Sequence, residues 1–236
     1  MSEKKTIVVV PARGGSKRFP GKNTHPLLGI PLVAHPIIAA KKAKLVDRII
    51  VSTDDERIAK VAQEYGAEFP FSRPAELATE TSKVVETITY TLRELEKKEG
   101  YHADYAVLLQ PSTPIIEPEQ IDTAIQLAYE KNADSVVTVS EVDTINHPYN
   151  VREILADGSI KFWHHDLHYN CVSNDRPKFY HAANLWLSSY DTVIKEGKLE
   201  GRKNYPVILP EIYSSDIDFK EDLERIEAIL MQRQSR

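Results

Sequence analysis

The chain has 236 residues, 42% of them hydrophobic and 28% charged, and carries a formal net charge of −5. This length and composition predict a globular protein with a sizeable core, and the acidic balance argues against broad nucleic-acid binding. The longest apolar runs are too short to span a bilayer, and no signal-peptide pattern precedes the first strand-like run. The single cysteine, Cys171, excludes an intrachain disulfide and favours a reducing compartment, so we predict a cytoplasmic protein.

Short β-branched runs alternate with amphipathic stretches of helical length along most of the chain. The predicted strands are Thr6–Val10, Arg48–Thr53, Ala103–Leu109, Ser135–Val142, His181–Leu187 and Pro206–Leu209. The predicted helices are Pro31–Lys44, a helix capped by Asp54 and Asp55 that ends at Tyr65, Val84–Lys98, Pro118–Asn132 and Phe219–Gln234. Pro36 should kink or shorten the first of these helices. The alternation predicts a three-layer α/β/α nucleotide-binding fold with a largely parallel sheet.

The alternation stops from Asp143 to about Tyr180, in a stretch rich in histidine, asparagine, aspartate and aromatic residues. We therefore predict a single domain, residues 1–236, with an inserted arm at about 143–180. Large aromatic side chains in a segment without a core pattern are difficult to leave exposed, which favours a homodimer built by the arm. The aromatic residues concerned are Phe162, Trp163, Tyr169 and Phe179.

A histidine cluster in the arm, made of His164, His165 and His168, raises the alternative of a transition-metal site. No cysteine or carboxylate motif accompanies these imidazoles. An interface or surface role is therefore favoured over metal binding.

A glycine-rich, cationic segment follows the first predicted strand, and residues 11–23 read PARGGSKRFPGKN. Glycines let backbone N–H groups approach phosphate oxygens closely, while arginine and lysine neutralise their charge. The P-loop pattern is excluded, because five residues separate Gly15 from Gly21 and Asn23 stands where a hydroxyl is required. The dinucleotide fingerprint is also absent. A polyphosphate site is favoured over the alternative of a solvated basic surface loop.

Residues 12–23 resemble the signature of the acylneuraminate cytidylyltransferases. The resemblance continues, in order, through IIVSTDD at 49–55, RPAELA at 73–78, LLQPSTP at 108–114 and DID at 216–218. It implies an enzyme that transfers CMP from CTP to the anomeric hydroxyl of a sialic-acid-like nine-carbon keto-sugar and releases pyrophosphate. It also implies that the arm reaches a neighbouring subunit and helps to close its sugar site. No nucleic-acid or membrane partner is expected.

The resemblance implies a nucleotide site in which Arg13 and Lys22 contact the CTP phosphates and, with Asp216, act in catalysis. The implied nucleotide-binding residues are Ala12, Arg13, Gly14, Gly15, Ser16, Lys22, Asn23, Arg73 and Ser82. Two alternatives stay open at this point. Arg73 could form a surface ion pair, and Ser82 could be the N-cap of the helix that begins at Val84.

For the acidic sugar, the resemblance implies contacts from Gln110 and Asn184. The sequence departs from the family beside both residues, because Ile116 replaces a frequent arginine and Leu185 replaces the usual glycine. Asn184 could alternatively do no more than end a strand or turn.

Asp216 and Asp218 are implied to be ligands of Mg²⁺ (or Mn²⁺). In an extended segment, residues two apart point the same way, so both carboxylates could face one site. Asp218 could alternatively cap the last helix. Two other functions stay open: a cytidylyltransferase for an eight-carbon keto-deoxy sugar, and a non-catalytic nucleotide-binding module.

Overall fold

The structure is a computed structural model that describes residues 4–163 and 176–234. Its strands are β1 (Thr6–Pro11), β2 (Pro26–Leu27), β3 (Ile30–Pro31), β4 (Arg48–Ser52), β5 (Tyr105–Leu109), β6 (Ser135–Glu141), β7 (Arg152–Ile154), β8 (Ile160–Phe162), β9 (Tyr180–Ser189) and β10 (Asn204–Ile208). Its α-helices are α1 (Ala34–Lys42), α2 (Glu56–Tyr65), α3 (Val84–Glu99), α4 (Pro118–Lys131), α5 (Tyr190–Ile194) and α6 (Lys220–Gln234).

A mixed sheet organises the part of the chain that the structure describes, with the strand order β10-β6-β9-β5-β1-β4. Strand β1 pairs in parallel with β4 and with β5, and β10 pairs in parallel with β6. Strand β9 is antiparallel to both of its neighbours, β5 and β6. The prediction of a largely parallel sheet is confirmed, with β9 as the exception.

Helices cover both faces of this sheet. Alternate residues of β1 therefore face two different apolar cores. Val8 and Val10 pack in a core that also contains residues of α1, α2 and α4. Ile7 and Val9 pack in a second core with residues of α3 and α5. The predicted three-layer α/β/α fold is therefore confirmed.

A third apolar cluster holds the last helix against the segment that follows β1. Phe19 and Leu27 pack there with Ile217 of the preceding loop and with Leu223 and Ile226 of α6. The chain from Ile217 to Ile226 is consequently anchored beside the cationic segment.

Helix α1 is shorter than predicted. It begins at Ala34 because Ile30–Pro31 forms β3, which pairs with β2 in a small hairpin. Pro36 then lies in the first helical turn, where the missing N–H has no intrahelical partner to lose. The helix ends at Lys42.

The ends of α2 agree with the sequence prediction. The Asp55 side chain accepts the N–H of Arg57 as the N-cap, and Gly66 ends the helix with a φ of 106°.

The predicted arm contains the antiparallel hairpin of β7 and β8. The predictions made for His164, His165, His168 and Tyr169 lie outside the described residues, as does Cys171. Within residues 4–163 and 176–234, no helix is long and apolar enough to cross a membrane.

Candidate active site

A cleft of about 270 Å³ opens where β1, β4 and β5 end, on the side of the sheet that carries their carboxyl termini. Its walls are Pro11, Arg13, Lys22, Asn23, Arg73, Leu77, Thr79, Glu80, Ser82, Val84, Thr87, Gln110, Pro111 and Ser112. Six of the residues predicted for the nucleotide or the sugar therefore share one cleft: Arg13, Lys22, Asn23, Arg73, Ser82 and Gln110. This edge is where α/β sheets generally present ligand-binding groups.

The glycine segment leaves β1 in close contact with the end of β4. The N–H of Ala12 donates to the carbonyl of Ser52 at 3.0 Å, and the N–H of Gly14 donates to Oδ1 of Asp54 at 3.0 Å. A Cβ on Gly14 would lie 2.8 Å from Oδ2 of Asp55, so the position requires glycine.

The remaining predicted loop residues lie around this turn. Gly14 and Ser16 line a neighbouring cavity with Arg13 and Lys22. Gly15 has open space where a Cβ would project. Asn23 is buried, and its side-chain amide donates to the carbonyl of Arg13 at 2.8 Å.

On one side, the loop is braced by the segment at Thr79 and Glu80. The Nη1 of Arg13 donates to the carbonyl of Thr79 at 2.7 Å. The Nζ of Lys17 pairs with Oε2 of Glu80 at 3.0 Å. Both ends of this brace are exposed, so it contributes little to stability.

On the other side, the loop is braced by the segment before α6. The Nη2 of Arg18 pairs with Oδ1 of Asp218 at 2.9 Å. The Nζ of Lys22 donates to the carbonyl of Ile217 at 2.8 Å and lies 3.7 Å from Oδ1 of Asp218. Lys22 is only 16% exposed, so this brace is more protected from water than the first.

Arg73 is a buried cation, and the alternative of a surface ion pair is wrong. Its side chain is 5% exposed, and Nη1 lies 3.4 Å from the hydroxyl of Thr87. Nη2 lies 3.6 Å from Oδ1 of Asp54, while Nε and Nη2 have no hydrogen-bond partner in the described part of the chain. Burial lowers the pKa of the Arg73 guanidinium, and the Asp54 carboxylate opposes that shift.

Ser82 lies in the cleft but does not cap α3, whose N-cap is Lys83. The Ser82 hydroxyl accepts the N–H of Thr79 at 3.1 Å and donates to the carbonyl of Glu76 at 2.9 Å. The capping alternative is therefore wrong, because the hydroxyl points back into the preceding turn. It helps to shape the segment that contacts Arg13.

Gln110 directly follows β5 and lines the cleft, as the sequence predicts. The N–H of Thr113 donates to its carbonyl at 3.1 Å, and the Ser112 hydroxyl lies 3.5 Å from its Oε1. The N–H of Ile217 donates to the carbonyl of Ser112 at 2.8 Å, which connects the turn after β5 to the segment before α6.

Asn184 lies inside β9 and is 1% exposed, so the structure does not bring it into the cleft. Its Nδ2 donates to the carbonyl of Ile115 at 2.8 Å and to Oε1 of Gln120 at 3.0 Å. Its Oδ1 accepts the hydroxyl of Thr138 at 3.0 Å. The amide is fully used in connecting β9 to β6 and to the start of α4, which leaves no group for a sugar in this arrangement.

Asp216 and Asp218 line separate cavities in the structure, which does not bring the two carboxylates together. Asp218 lines a small cavity of about 90 Å³ with the loop cations. Asp216 is exposed and lines a separate depression near Arg225. The backbone N–H of Asp218 donates to Oδ2 of Asp222 at 3.1 Å.

The carboxylate of Asp218 pairs with Arg18 and Lys22 rather than with the first turn of α6, as the capping alternative would require. Asp222 accepts the N–H of Asp218 and, at 2.9 Å, the N–H of Phe219. Over the described ranges, no group of three or more His, Cys, Asp or Glu residues is arranged to hold a metal ion.

Sequence reasoning missed Asp54, Glu80 and Thr87 as site residues. Asp54 was assigned only to the start of α2, although it contacts Gly14 and faces Arg73. Thr87 gave one usable signal, since it is, with Thr91, a polar residue on the buried face of α3, and buried polar groups need partners. Glu80 gave no such signal.

A glycine turn after a buried strand, with cations at the carboxyl end of a mostly parallel sheet, defines a nucleotide-binding α/β protein. The cytidylyltransferase family matches residues 7–236, nearly the whole chain. The chain therefore belongs to the cytidylyltransferase family and is a nucleotidyltransferase.

Relatives in this family match over almost the full length of the chain. The CMP-N,N'-diacetyllegionaminic acid synthase of Legionella pneumophila is 34% identical over 95% of each chain. The N-acylneuraminate cytidylyltransferase of Escherichia coli is 30% identical over 93% of this chain and 51% of its own length. A CMP:2-keto-3-deoxy-manno-octonic acid synthetase structure covers 98% of this chain and 100% of its own, with a TM-score of 0.72 and 18% identity. That last likeness shows the fold.

Proposed function

We propose that this cytidylyltransferase transfers CMP from CTP to the anomeric hydroxyl of an acidic nine-carbon keto-sugar and releases pyrophosphate. The observation that carries the proposal is one cleft that contains the loop cations, the buried Arg73 and the strand-end Gln110. Relatives named for diacetyllegionaminic and acylneuraminic acids support the choice of a nine-carbon sugar.

The loop supplies the electrostatic part of catalysis. The anomeric hydroxyl gives up its proton to solvent, its oxygen attacks the α-phosphorus of CTP, the bond to the bridging oxygen breaks, and pyrophosphate leaves with the electron pair. Arg13 and Lys22 line the cleft and the cavities beside it, so both cations are placed to stabilise the charge that develops on phosphate oxygens. Hydrogen-bond donors whose positions are already fixed need not reorganise during the reaction. The Nζ of Lys22 is fixed in this way by its bond to the carbonyl of Ile217.

The nucleoside is proposed to lie on the side of Asn23, Arg73 and Ser82, and the acidic sugar beside Gln110. These residues line the same cleft as the loop cations, so a nucleotide and a sugar bound there would be neighbours. Holding the two reactants together supplies most of what a displacement of this kind needs. Asn184 is not included, because its side chain is fully bonded within the core.

The loop fits a divalent cation that is held largely by phosphate oxygens. Asp218 brings one carboxylate to the cations of the loop, and Mg²⁺ in nucleotide sites is usually held by one or two carboxylates plus phosphates. Asp218 is therefore the residue that would hold the ion. When bound, Mg²⁺ (or Mn²⁺) neutralises phosphate charge and orients the leaving group. The prediction that Asp216 is a second ligand is tested by mutation below.

We further propose that the chain is a cytoplasmic homodimer in which the arm at residues 143–180 forms the contact. Large apolar side chains of this arm are exposed, among them Ile145 at 84%, Ile154 at 76% and Ile160 at 63%. Clusters of such side chains commonly mark protein interfaces.

The proposed function is tested by measuring pyrophosphate release with CTP, UTP, ATP and GTP against a panel of acidic sugars. We expect CTP to be strongly preferred and release to require a nine-carbon keto-sugar, with diacetyllegionaminate assayed first. Selective use of an eight-carbon keto-deoxy sugar would establish the rival substrate. CTP binding without turnover on any sugar would favour a non-catalytic module, and UTP use with a sugar 1-phosphate would refute the assignment.

A further inference from the structure

Asp54 lies between two parts of the proposed nucleotide site. Its Oδ1 accepts the backbone N–H of Gly14 at 3.0 Å. The same oxygen lies 3.6 Å from Nη2 of Arg73. One carboxylate oxygen therefore faces the glycine-rich, cationic segment at residues 11–23, the phosphate loop, on one side and the buried guanidinium of Arg73 on the other.

Arg73 depends on that carboxylate for charge compensation. A buried cation is strongly unfavourable unless a counter-ion and hydrogen bonds accompany it. In the described part of the chain, Asp54 provides the ion pair of Arg73, and Thr87 accepts one hydrogen bond at the long distance of 3.4 Å. Nε and Nη2 of Arg73 lack hydrogen-bond partners, so the electrostatic attraction to Asp54 is the main force that orients the guanidinium group.

The backbone around Asp54 is held firmly. The residue follows β4, and the carbonyl of the preceding Thr53 accepts the N–H of Arg73 at 2.9 Å. The hydroxyl of Thr53 accepts the N–H of Asp55 at 3.1 Å, and Asp55 is the N-cap of α2. Asp54 is thus fixed between the end of a core strand and the start of a helix.

We propose that Asp54 is a positioning residue for nucleotide binding, which orients Arg73 as its counter-ion and holds the phosphate loop through Gly14. This inference rests on the proposed function, because Arg73 and the loop matter only if they bind the nucleotide. Asp54 acts through its neighbours, so its loss should weaken nucleotide binding more than it slows the chemical step.

The positioning role makes a prediction opposite in sign to simple electrostatics. A carboxylate near a triphosphate repels it, so removing the charge of Asp54 alone would tighten CTP binding. If Asp54 orients Arg73, removing that charge weakens binding instead. Asp54→Asn separates the two effects, because the amide oxygen can still accept the N–H of Gly14.

The test is a double-mutant cycle measured by calorimetric titration of CTP, UTP and ATP into wild type, Asp54→Asn, Arg73→Met and the double variant. We expect Asp54→Asn to weaken CTP binding about tenfold in the wild-type background and hardly at all in the Arg73→Met background. At saturating substrates its kcat should stay within about twofold of wild type. Asp54→Ala should lose further affinity, because the Gly14 contact is also removed.

Asp122→Asn is the matched control, since Asp122 also accepts backbone N–H groups, from Lys44 and Leu45, but lies on α4 away from the cleft. Its CTP affinity should equal that of wild type. Thermal unfolding checks each fold, and if Asp54→Asn does not fold, Asp54→Ser repeats the cycle with another uncharged oxygen acceptor.

An equal loss in both backgrounds, or tighter CTP binding by Asp54→Asn, overturns the positioning role. A wild type that binds another nucleotide but not CTP contradicts the proposed function alone, and the cycle is then run with that nucleotide. A wild type that binds none of the three overturns both.

Discussion

The phosphate loop (residues 11–23) and the hairpin of β7 and β8 differ in where their side chains find partners. The loop carries cations, and the hairpin carries large apolar groups. In the loop, Arg13, Lys17, Arg18 and Lys22 each contact a carbonyl or carboxylate of the same chain. In the hairpin of β7 and β8, the large apolar side chains of Ile154 and Ile160 are 76% and 63% exposed. The loop is thus organised within one chain, whereas the hairpin presents the kind of surface that a second chain would cover. The loop contacts therefore need no second chain, whereas the proposed dimer contact does.

The largest expected effect lies in the loop. Arg13→Ala should lower kcat/KM about a hundredfold, the usual loss for one contact that stabilises transition-state charge. Its melting temperature should change little, because the contact to Thr79 is exposed. Lys195→Ala, which removes a cation paired with Asp191 far from the cleft, is the control. Near-normal turnover by Arg13→Ala would place the phosphates elsewhere.

Lys22→Ala should lose activity to a similar degree but should also be less stable. Its side chain is largely buried, and its Nζ donates to the carbonyl of Ile217, which would be left without that donor. Thermal unfolding of the two variants side by side measures the difference, and equal melting temperatures would contradict it.

Substitutions of Asp218 and Asp216 should change the Mg²⁺ requirement to very different extents. Asp218→Asn should raise the Mg²⁺ concentration needed for turnover or abolish turnover, because Asp218 faces the loop cations. Asp216→Asn should change the Mg²⁺ requirement less, because Asp216 lines a separate depression. Mg²⁺ titrations of both variants measure this. A larger effect of Asp216→Asn would show that the segment rearranges to bring that carboxylate to the nucleotide.

The arm is tested by replacing Ile154 and Ile160 with serine. If the hairpin is covered by a second chain, wild type should have the mass of a dimer in light scattering at micromolar concentration, and the double variant that of a monomer. CTP affinity should be unchanged, because the loop contacts lie within one chain. A monomeric wild type would contradict the dimer.

The smallest expected effect concerns the cap of α2. Asp55→Ala should cost about 1 kcal/mol of unfolding free energy, measured by urea denaturation at neutral pH. Its bond to Arg57 holds the pKa of Asp55 below the usual value for aspartate. A depressed pKa stabilises the fold above the unfolded-state pKa, and this contribution disappears as the pH falls through the folded-state pKa. The difference between wild type and variant should therefore shrink in acid, and a constant difference would contradict this cause.

Local patterns explain what the sequence predicts correctly. The buried strand Thr6–Pro11, the glycine turn after it and the cap of α2 each follow from neighbouring residues, so the loop and its cations were predictable. The hairpin β2–β3 was missed, because its two-residue strands carry no alternation and Pro31 resembles a helix start.

Errors in the site come from long-range pairing. Asn184 looked available because nothing local shows that β9 inserts antiparallel between β5 and β6, where its amide reaches Ile115 and Gln120. Asp216 and Asp218 were expected to face one site, but they line separate cavities, and Asp222 accepts the backbone N–H of Asp218. Such contacts depend on tertiary structure and leave no period in the sequence.

A crystal structure of the protein with CTP would show directly whether the phosphates bind at the glycine-rich loop. We expect the triphosphate against the loop, within hydrogen-bond distance of Arg13 and Lys22, and the nucleoside on the side of Arg73 and Ser82. A nucleotide bound elsewhere, for instance in the depression beside Asp216 and Arg225, with the loop cations still paired only within the chain, would contradict it.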